Sequence, residues 1–123
     1  MQTFVQKVAA VLKPGAKWII NTGTVAESFL AKFTAERSYE FDGLTMAIKN
    51  DYDVENSCLL STLTYTKNGQ QETHRFKHYV YTVAEIIRLL EKYNLKTTAL
   101  YGSTNKSAYK LGDGQLYLVA EKI

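Results

Sequence analysis

The sequence has few of the residues that carry metal, disulfide or redox chemistry. It contains one cysteine, Cys58, and two histidines among its 123 residues. A lone cysteine excludes an intrachain disulfide and a cysteine-based zinc site, and it is typical of a reducing compartment. No apolar run approaches the roughly 18 residues of a membrane-spanning helix, and the first residues lack a signal-peptide layout. We therefore expect a cytoplasmic protein with no bound metal and no membrane contact.

A strong excess of one charge is also missing. Fifteen basic and twelve acidic residues give a net charge of +3, and the basic residues are scattered along the chain. This distribution does not indicate a dedicated nucleic-acid surface, and no nucleic-acid partner is expected. Hydrophobic residues make up 46% of the chain and charged residues 22%, which argues against disorder. The length and composition predict a single domain, residues 1–123, with one hydrophobic core.

Hydrophobic spacing predicts a helix followed by a strand at the start of the chain. Apolar residues recur at helical spacing over 3–12, and Pro14 and Gly15 end the helix. Residues 17–22 are predicted to form a short strand that is buried on both faces, as interior parallel strands are. Nothing upstream can be its parallel neighbour, so the chain is expected to begin in the middle of a fold.

Two capping boxes predict where two further helices begin. Thr24 and Glu27 suit the start of a short helix over 25–33, and Thr82 and Glu85 suit the start of a second helix. In such a box the hydroxyl and the carboxylate satisfy backbone N–H groups that the first helical turn leaves free. The second helix also carries an apolar stripe at helical spacing, which predicts one buried face.

The pattern between these helices changes to strands. Three antiparallel strands are predicted within residues 38–81, the first of them broken near Asp42 and Gly43, with a turn at 50–53. Asn68 and Gly69 form the strongest hairpin signal, because both tolerate the positive φ of a type I′ turn. The chain closes with two more predicted strands, 96–101 and 115–122.

Two segments, residues 12–20 (LKPGAKWII) and 81–90 (YTVAEIIRLL), carry a family resemblance. The first resembles the LKPGG helix-to-strand signature of class I S-adenosylmethionine-dependent methyltransferases, with Ala16 in place of the second glycine. The second resembles the YT..E+..LL helix of the same family. The resemblance implies an α/β fold, the C-terminal part of a doubly wound Rossmann-like sheet (α+β as an isolated fragment). Residues 38–81 would be an antiparallel three-strand insertion on its substrate side.

The same resemblance implies which part of that fold is present. Strand 17–22 would be the family's fifth strand, and the last two strands its sixth and seventh. The family's glycine-rich cofactor loop and its ribose-binding acid precede this part. Gly112, Asp113 and Gly114 do not replace the loop, because they lie between two antiparallel predicted strands. The intact enzyme would use S-adenosylmethionine, whereas no cofactor is expected to bind this chain alone.

Two classes of function remain open. The resemblance implies the substrate-side portion of an enzyme that methylates an O, N or C atom of a small molecule, with no activity as an isolated chain. The alternative is a free-standing α+β module that binds a small ligand or dimerises without catalysis. Because strand 17–22 would have one unpaired apolar edge, we expect a homodimer, or completion by a missing N-terminal half.

Asn21, Thr22 and Glu27 are the first candidate site residues. They follow the first strand, and ligands of open α/β sheets bind beyond the carboxyl ends of the strands. In the resembling family this loop borders the methyl acceptor. Capping of a helix by Thr24 and Glu27 is an alternative role, and it is compatible with lining a pocket.

The hairpin register predicts a second group of candidates. With the predicted turn, Leu63 faces His74 and Leu59 faces His78, so that both histidines project from one side of the hairpin. They would line a substrate pocket or act as bases, or else be partly exposed strand residues. Their spacing of about 13 Å along the strand disfavours a shared metal.

Tyrosines are the third group, nine in all. Tyr52 and Tyr81 are assigned to the substrate site, where they and their neighbours would form an aromatic wall for a flat or cationic substrate. The alternative is that they are ordinary amphipathic residues of a half-exposed sheet. Cys58 is expected to be a small buried hydrophobe rather than a nucleophile.

Overall fold

The computed structural model describes residues 1–123 as two units, each with its own antiparallel sheet. The first unit combines Met1–Lys32 with Tyr81–Ile123, and the second unit is Phe33–Val80. No helix is long and apolar enough to cross a membrane. In chain order the elements are α1 (Gln2–Val11), β1 (Lys17–Thr22), α2 (Ala26–Phe29) with a 3-10 turn (Leu30–Lys32), β2 (Glu36–Phe41), β3 (Leu44–Asp53), β4 (Cys58–Lys67), β5 (Gln70–Tyr79), α3 (Val83–Lys92), β6 (Leu95–Tyr101) and β7 (Leu116–Lys122).

The first unit is built on a three-stranded sheet in the order β1-β7-β6, and both pairings are antiparallel. Its hydrophobic core joins α1 and α3 to β6 and β7. Leu90, Leu95, Leu116 and Leu118 are fully buried in this core. Burial of each such side chain contributes about 1.5–3 kcal/mol relative to exposure. The core therefore fixes the carboxyl end of β1 and the amino end of α3 in one framework.

Strand β1 forms at the predicted residues, but the expected burial of both its faces is wrong. The side chains alternate between exposed and half-buried along the strand, and Ile19 is 66% exposed. One face of β1 carries Trp18 and Ile20 against the core, whereas the face that carries Ile19 is exposed. Strand β1 is also an edge strand, paired only with β7. An apolar side chain thus stands on an open sheet edge.

The helix boundaries of the first unit follow local signals. The first helix ends where the sequence predicts, since Leu12 is extended and Gly15 has φ of +86°. The predicted capping box of α3 is confirmed, because Thr82 accepts the N–H of Glu85 and the Glu85 carboxylate accepts the N–H of Thr82. Asn94 follows α3 in the left-handed conformation, with φ of +62°.

The second unit is a four-stranded meander in the order β2-β3-β4-β5. The predicted hairpin is confirmed, because Asn68 and Gly69 both have positive φ, +51° and +77°. The register pairs Leu63 with His74 as predicted. It also pairs Leu59 with His78, so that both histidines lie on one face of the sheet.

Two predictions about the second unit are wrong. The region contains four strands rather than three, because Asp42 and Gly43 form a tight turn with positive φ and divide one predicted strand into β2 and β3. The predicted turn at 50–53 is the last part of β3. The chain turns only after Asp53, whose carboxylate accepts the N–H groups of Glu55 and Asn56.

Alternation along the strands gives the second sheet two different faces. One face, here called the aromatic face, carries most of the large apolar and ring side chains: Tyr39, Phe41, Met46, Ile48, Tyr52, Leu59, Leu63, Tyr65, His74, Phe76 and His78. The opposite face, here called the polar face, carries mainly threonines and charged residues: Glu36, Lys49, Asp51, Thr62, Thr64, Thr73, Arg75 and Lys77, with Leu60 among them.

Candidate functional site

Polar side chains meet at the carboxyl end of β1 in the first unit. The Asn21 amide donates to the Gln115 side-chain oxygen at 3.0 Å, and to the Leu116 carbonyl at a longer 3.4 Å. The Thr22 hydroxyl lies 3.2 Å from the Thr24 hydroxyl and accepts the Thr24 N–H. Because β7 runs antiparallel to β1, the residues that precede β7 lie beside the residues that end β1. We call this group the β1-end cluster: Asn21, Thr22, Thr24 and Gln115.

Glu27 stabilises a helix, but not the helix that the sequence predicts. Its two carboxylate oxygens lie 3.0 and 3.2 Å from the backbone nitrogen of Val83, the first residue of α3. The predicted capping of α2 by Thr24 is wrong: α2 begins after Val25, and no side chain caps it. A carboxylate at the amino end of α3 both satisfies a free N–H group and interacts favourably with the helix dipole.

Tyr81 connects the loop after β1 to the start of α3. Its backbone forms a parallel bridge with Val25, and its carbonyl accepts the N–H of Ala26 at 2.9 Å. The half-buried side chain packs against the core and lines a shallow groove with Gln2, Glu85 and Arg88. This side chain therefore has a structural role as well as a surface in contact with solvent.

The loop between β6 and β7 adds residues that the sequence did not indicate. The Tyr109 hydroxyl lies 2.6 Å from the hydroxyl of Ser28, which is 4% exposed and the buried polar residue of the core region. The N–H of Gly112 donates to the Glu27 carbonyl at 3.0 Å. A Cβ at Gly23 would lie 2.7 Å from the Gln115 amide nitrogen and 3.1 Å from the Gly114 carbonyl oxygen, so a larger residue there would displace the Gln115 side chain. The only sequence signal for the loop's position was the assignment of 115–122 as the closing strand.

The remaining candidates lie together on the aromatic face of the second unit. Tyr52, Leu59 and His78 occupy one row across three strands, and the His78 ring stacks on Phe76 with centroids 6.3 Å apart. His74 lies two residues before Phe76 on β5, and its ring packs edge-on against the ring of Tyr65. Its side chain is half exposed, and its Nε2 lies 3.8 Å from a Glu72 oxygen.

The predicted site residues thus fall into two groups, one in each unit. Asn21, Thr22, Glu27 and Tyr81 surround the loop after β1, whereas Tyr52, His74 and His78 share the aromatic face. No group of three histidine, cysteine, aspartate or glutamate side chains is placed to hold a metal ion. Cys58 is fully buried in the second unit, as a small hydrophobe would be.

The chain was compared with known proteins at the level of sequence and of fold. It matches no known family model and no curated protein. Its fold matches the CcbJ methyltransferase of Streptomyces caelestis, with a TM-score of 0.83 and 10% identity over 99% of this chain and 52% of that one. An S-adenosylmethionine-dependent methyltransferase from Clostridium acetobutylicum ATCC 824 gives a TM-score of 0.82 and 10% identity over 98% of this chain and 50% of that one. The chain shares its fold with S-adenosylmethionine-dependent methyltransferases.

A third matching structure is of an enzyme whose substrate class is named and whose cofactor is bound. S-adenosylmethionine-bound CalS10, an amino pentose methyltransferase from Micromonospora echinaspora involved in calicheamicin biosynthesis, gives a TM-score of 0.64 and 11% identity over 98% of this chain and 50% of that one. The predicted α/β methyltransferase-like fold class is therefore confirmed. The chain spans about half the length of the solved structures that it matches.

The first unit does not fit a Rossmann-type cofactor. Such cofactors need a glycine that lets the backbone approach them and free N–H groups at a helix start. Here the space beside Gly23 is filled by Gln115, and the first N–H groups of α3 are bonded to Glu27 and Thr82.

Proposed function

We propose that these 123 residues form the acceptor-binding part of an S-adenosylmethionine-dependent small-molecule methyltransferase. The observation that carries the proposal is the match of 99% of the chain to about half of a methyltransferase, at a TM-score of 0.83. The polar side chains at the carboxyl end of β1 support it, because that end of a strand is where ligands of open α/β sheets bind.

The β1-end cluster offers the groups that a polar acceptor needs. The Asn21 amide, the Gln115 side chain and the hydroxyls of Thr22 and Thr24 are donors and acceptors grouped at the end of β1. They would hold a hydroxyl or amine of the acceptor in one orientation. Orientation and proximity are the main contributions that a protein makes to methyl transfer, and a base assists where the acceptor carries a proton.

The acceptor that we propose is a polar, hydroxyl- or amine-bearing small molecule. CalS10, which acts on an amino pentose, has the same fold over 98% of this chain. Tyr52, His74 and His78 remain proposed acceptor-side residues, supported by their common face and by the ring contacts of both histidines. Tyr81 and Glu27 are proposed to position the loop that the acceptor would contact.

Two further properties belong to the proposal. We place the protein in the cytoplasm, which is supported by the single, buried thiol of Cys58. We also propose that β1 pairs with a further strand, from a second copy or from another half of the fold, because its edge is open and Ile19 is exposed.

The first experiment is titration of the 123-residue chain with S-adenosylmethionine and with its demethylated product in a calorimeter. We expect no measurable heat of binding, because the groups that would hold a cofactor are absent or occupied in the first unit. A micromolar dissociation constant for either compound would contradict the assignment of this chain to the acceptor side.

The second experiment examines the DNA upstream of the Met1 codon. A continuous reading frame that encodes a glycine-rich strand-loop-helix would support the proposal, and the longer product should bind S-adenosylmethionine. In that product Asn21→Ala should raise the KM for the acceptor and leave the affinity for the cofactor unchanged. A stop codon with a ribosome-binding site at this position would instead favour the free-standing binding module.

A further inference from the structure

The polar face of the second unit carries three cations on neighbouring strands. Lys49, Thr62 and Arg75 form one cross-strand row over β3, β4 and β5, and Lys77 lies in the next row. Neighbouring strands are about 4.8 Å apart and alternate residues about 7 Å apart, so the Arg75 Cα lies within about 10 Å of the other two, and the Lys49 and Lys77 Cα atoms are about 12 Å apart. Lysine and arginine side chains are long enough to converge on one small group from these positions.

None of these cations is neutralised by an ion pair. No carboxylate lies within 4.0 Å of the Lys49, Arg75 or Lys77 nitrogens; the Lys77 ammonium lies 5.4 Å from the ring centroid of Tyr79. Asp51 is the one acid that lines the same groove, and one of its oxygens accepts the N–H of Tyr52 at 3.0 Å. The lining of the groove thus carries three positive charges and one negative charge, and two further acids lie outside the lining on the same face: Glu36 opposite Lys49, and Asp53 near Lys77.

The groove has the size and lining of a small-molecule site. It is open to solvent over strands β3, β4 and β5 and has a volume of about 700 Å³, within the range of about 300–1,000 Å³ that is typical of ligand pockets. Leu60, which is 38% exposed, supplies an apolar patch beside the cations. The Thr62 hydroxyl stands between Lys49 and Arg75 in the same row. An anion alone would leave most of this volume empty.

We propose that this groove binds a phosphate or diphosphate ester. The phosphate oxygens would accept hydrogen bonds from the Arg75 guanidinium, which matches phosphate geometry with two parallel donors, and from the Lys49 and Lys77 ammonium groups. The organic part would lie over Leu60, with Asp51 accepting from a hydroxyl or amine. The site is a binding site only, and it does not depend on the proposed methyltransferase function.

The test uses the 15N-labelled chain with two probes, inorganic phosphate and phenyl phosphate, followed by NMR. We expect saturable shifts of β3, β4 and β5 amides around the groove, and an affinity for phenyl phosphate several-fold higher than for inorganic phosphate. Equal affinity for the two would restrict the groove to the bare anion and overturn the ester assignment. Absence of saturation for both probes at about 10 mM, where even a Kd near 1 mM would saturate, would overturn the site itself.

Charge-matched variants separate a site from general attraction. Arg75→Gln and Lys77→Gln should each lower the affinity for phenyl phosphate by about tenfold, which is the loss expected for one charge-assisted hydrogen bond. Lys67→Gln removes the same charge at the far end of β4, outside the groove, and should change the affinity less than twofold. The affinity of Arg75→Lys for phenyl phosphate should lie between those of Arg75→Gln and the unmodified chain. Equal losses in the three glutamine variants, with no loss in Arg75→Lys, would show nonspecific attraction and contradict the proposal; circular dichroism checks that each variant is folded.

Discussion

The Glu27 carboxylate is bonded to the backbone N–H of Val83, 56 residues further along the chain, through oxygens at 3.0 and 3.2 Å. This contact ties the loop after β1 to the start of α3. We predict that Glu27→Ala lowers the free energy of unfolding by about 1 kcal/mol, as loss of an N-terminal helix cap does. Chemical denaturation at neutral pH measures the change.

A matched control for this prediction is available on the same helix. Glu91→Ala removes an exposed carboxylate from the last turn of α3, where a negative charge opposes the helix dipole, and should be neutral or slightly stabilising. Glu27→Gln keeps an oxygen that can accept the Val83 N–H, so it should lower the free energy of unfolding less than Glu27→Ala does. Equal stability of Glu27→Ala and the unmodified chain would show that the contact contributes nothing.

Gly69 occupies the second central position of the β4–β5 turn with φ of +77°. We predict that Gly69→Val destabilises the chain by about 1 kcal/mol or more, because a β-branched residue is strained at positive φ. Nothing lies within 4 Å of the position that a Cβ would take, so the cost is conformational rather than a clash. Gly69→Asn, which tolerates this conformation, should cost clearly less. An unchanged denaturation midpoint for Gly69→Val would place the turn elsewhere.

The contacts of Glu27 and the turn at Gly69 also show what the sequence can and cannot predict. The turn at Asn68 and Gly69 and the capping box at Thr82 are encoded within four residues, so their signals are local. The contact between Glu27 and Val83 joins residues that are distant in sequence, and no local pattern distinguishes it from a box with Thr24. The bond between Ser28 and Tyr109 spans 81 residues and was likewise invisible.

Strand assignments failed where pairing overrides local propensity. Residues 50–53 have the polar composition of a turn, yet each pairs with a residue of β4 and continues the strand. The exposure of Ile19 has a similar origin, because burial of a strand depends on its neighbours and not on its own residues. Neighbours of an edge strand are set by the topology, which a hydrophobic pattern does not specify.

Asp53 gives a prediction about pH. The hydrogen bond from the Asn56 side-chain amide, with backbone N–H groups and the charge of Lys77, holds the pKa of the Asp53 carboxyl below its ordinary value. A carboxyl with a lowered folded-state pKa stabilises the fold above its unfolded-state pKa, and that contribution is lost as the pH falls through the folded-state pKa. We therefore predict that Asn56→Ala raises the pKa of Asp53.

NMR titration of the Asp53 carboxyl carbon measures this shift directly. In the unmodified chain the titration midpoint should lie below that of a model aspartate, and in Asn56→Ala it should move up towards it. Asn105→Ala, which alters a loop of the first unit, should leave the midpoint unchanged. An identical midpoint in Asn56→Ala would show that the amide does not stabilise the carboxylate.

The open edge of β1 gives the last prediction. Strand β1 pairs only with β7, and its exposed Ile19 lies on an edge that carries no proline and only Lys17 as a protecting charge. Water can satisfy the backbone groups of the edge, so the drive to pair comes from burying the adjoining apolar surface at about 25 cal/mol per Å². Association costs several kcal/mol, so burial of several hundred Å² is needed. A symmetric dimer through two β1 edges would provide it.

We predict that the chain is not a monomer at micromolar concentration. Sedimentation equilibrium should give a mass above the 13.9 kDa of one chain. Ile19→Lys should return the mass to that of a monomer, with circular dichroism showing that the chain stays folded. Val11→Lys changes an exposed apolar residue at the end of α1, outside the sheet, and should leave association unchanged. A single species of 13.9 kDa up to about 100 μM would contradict self-association through β1, because a dimer with that Kd would be half formed there.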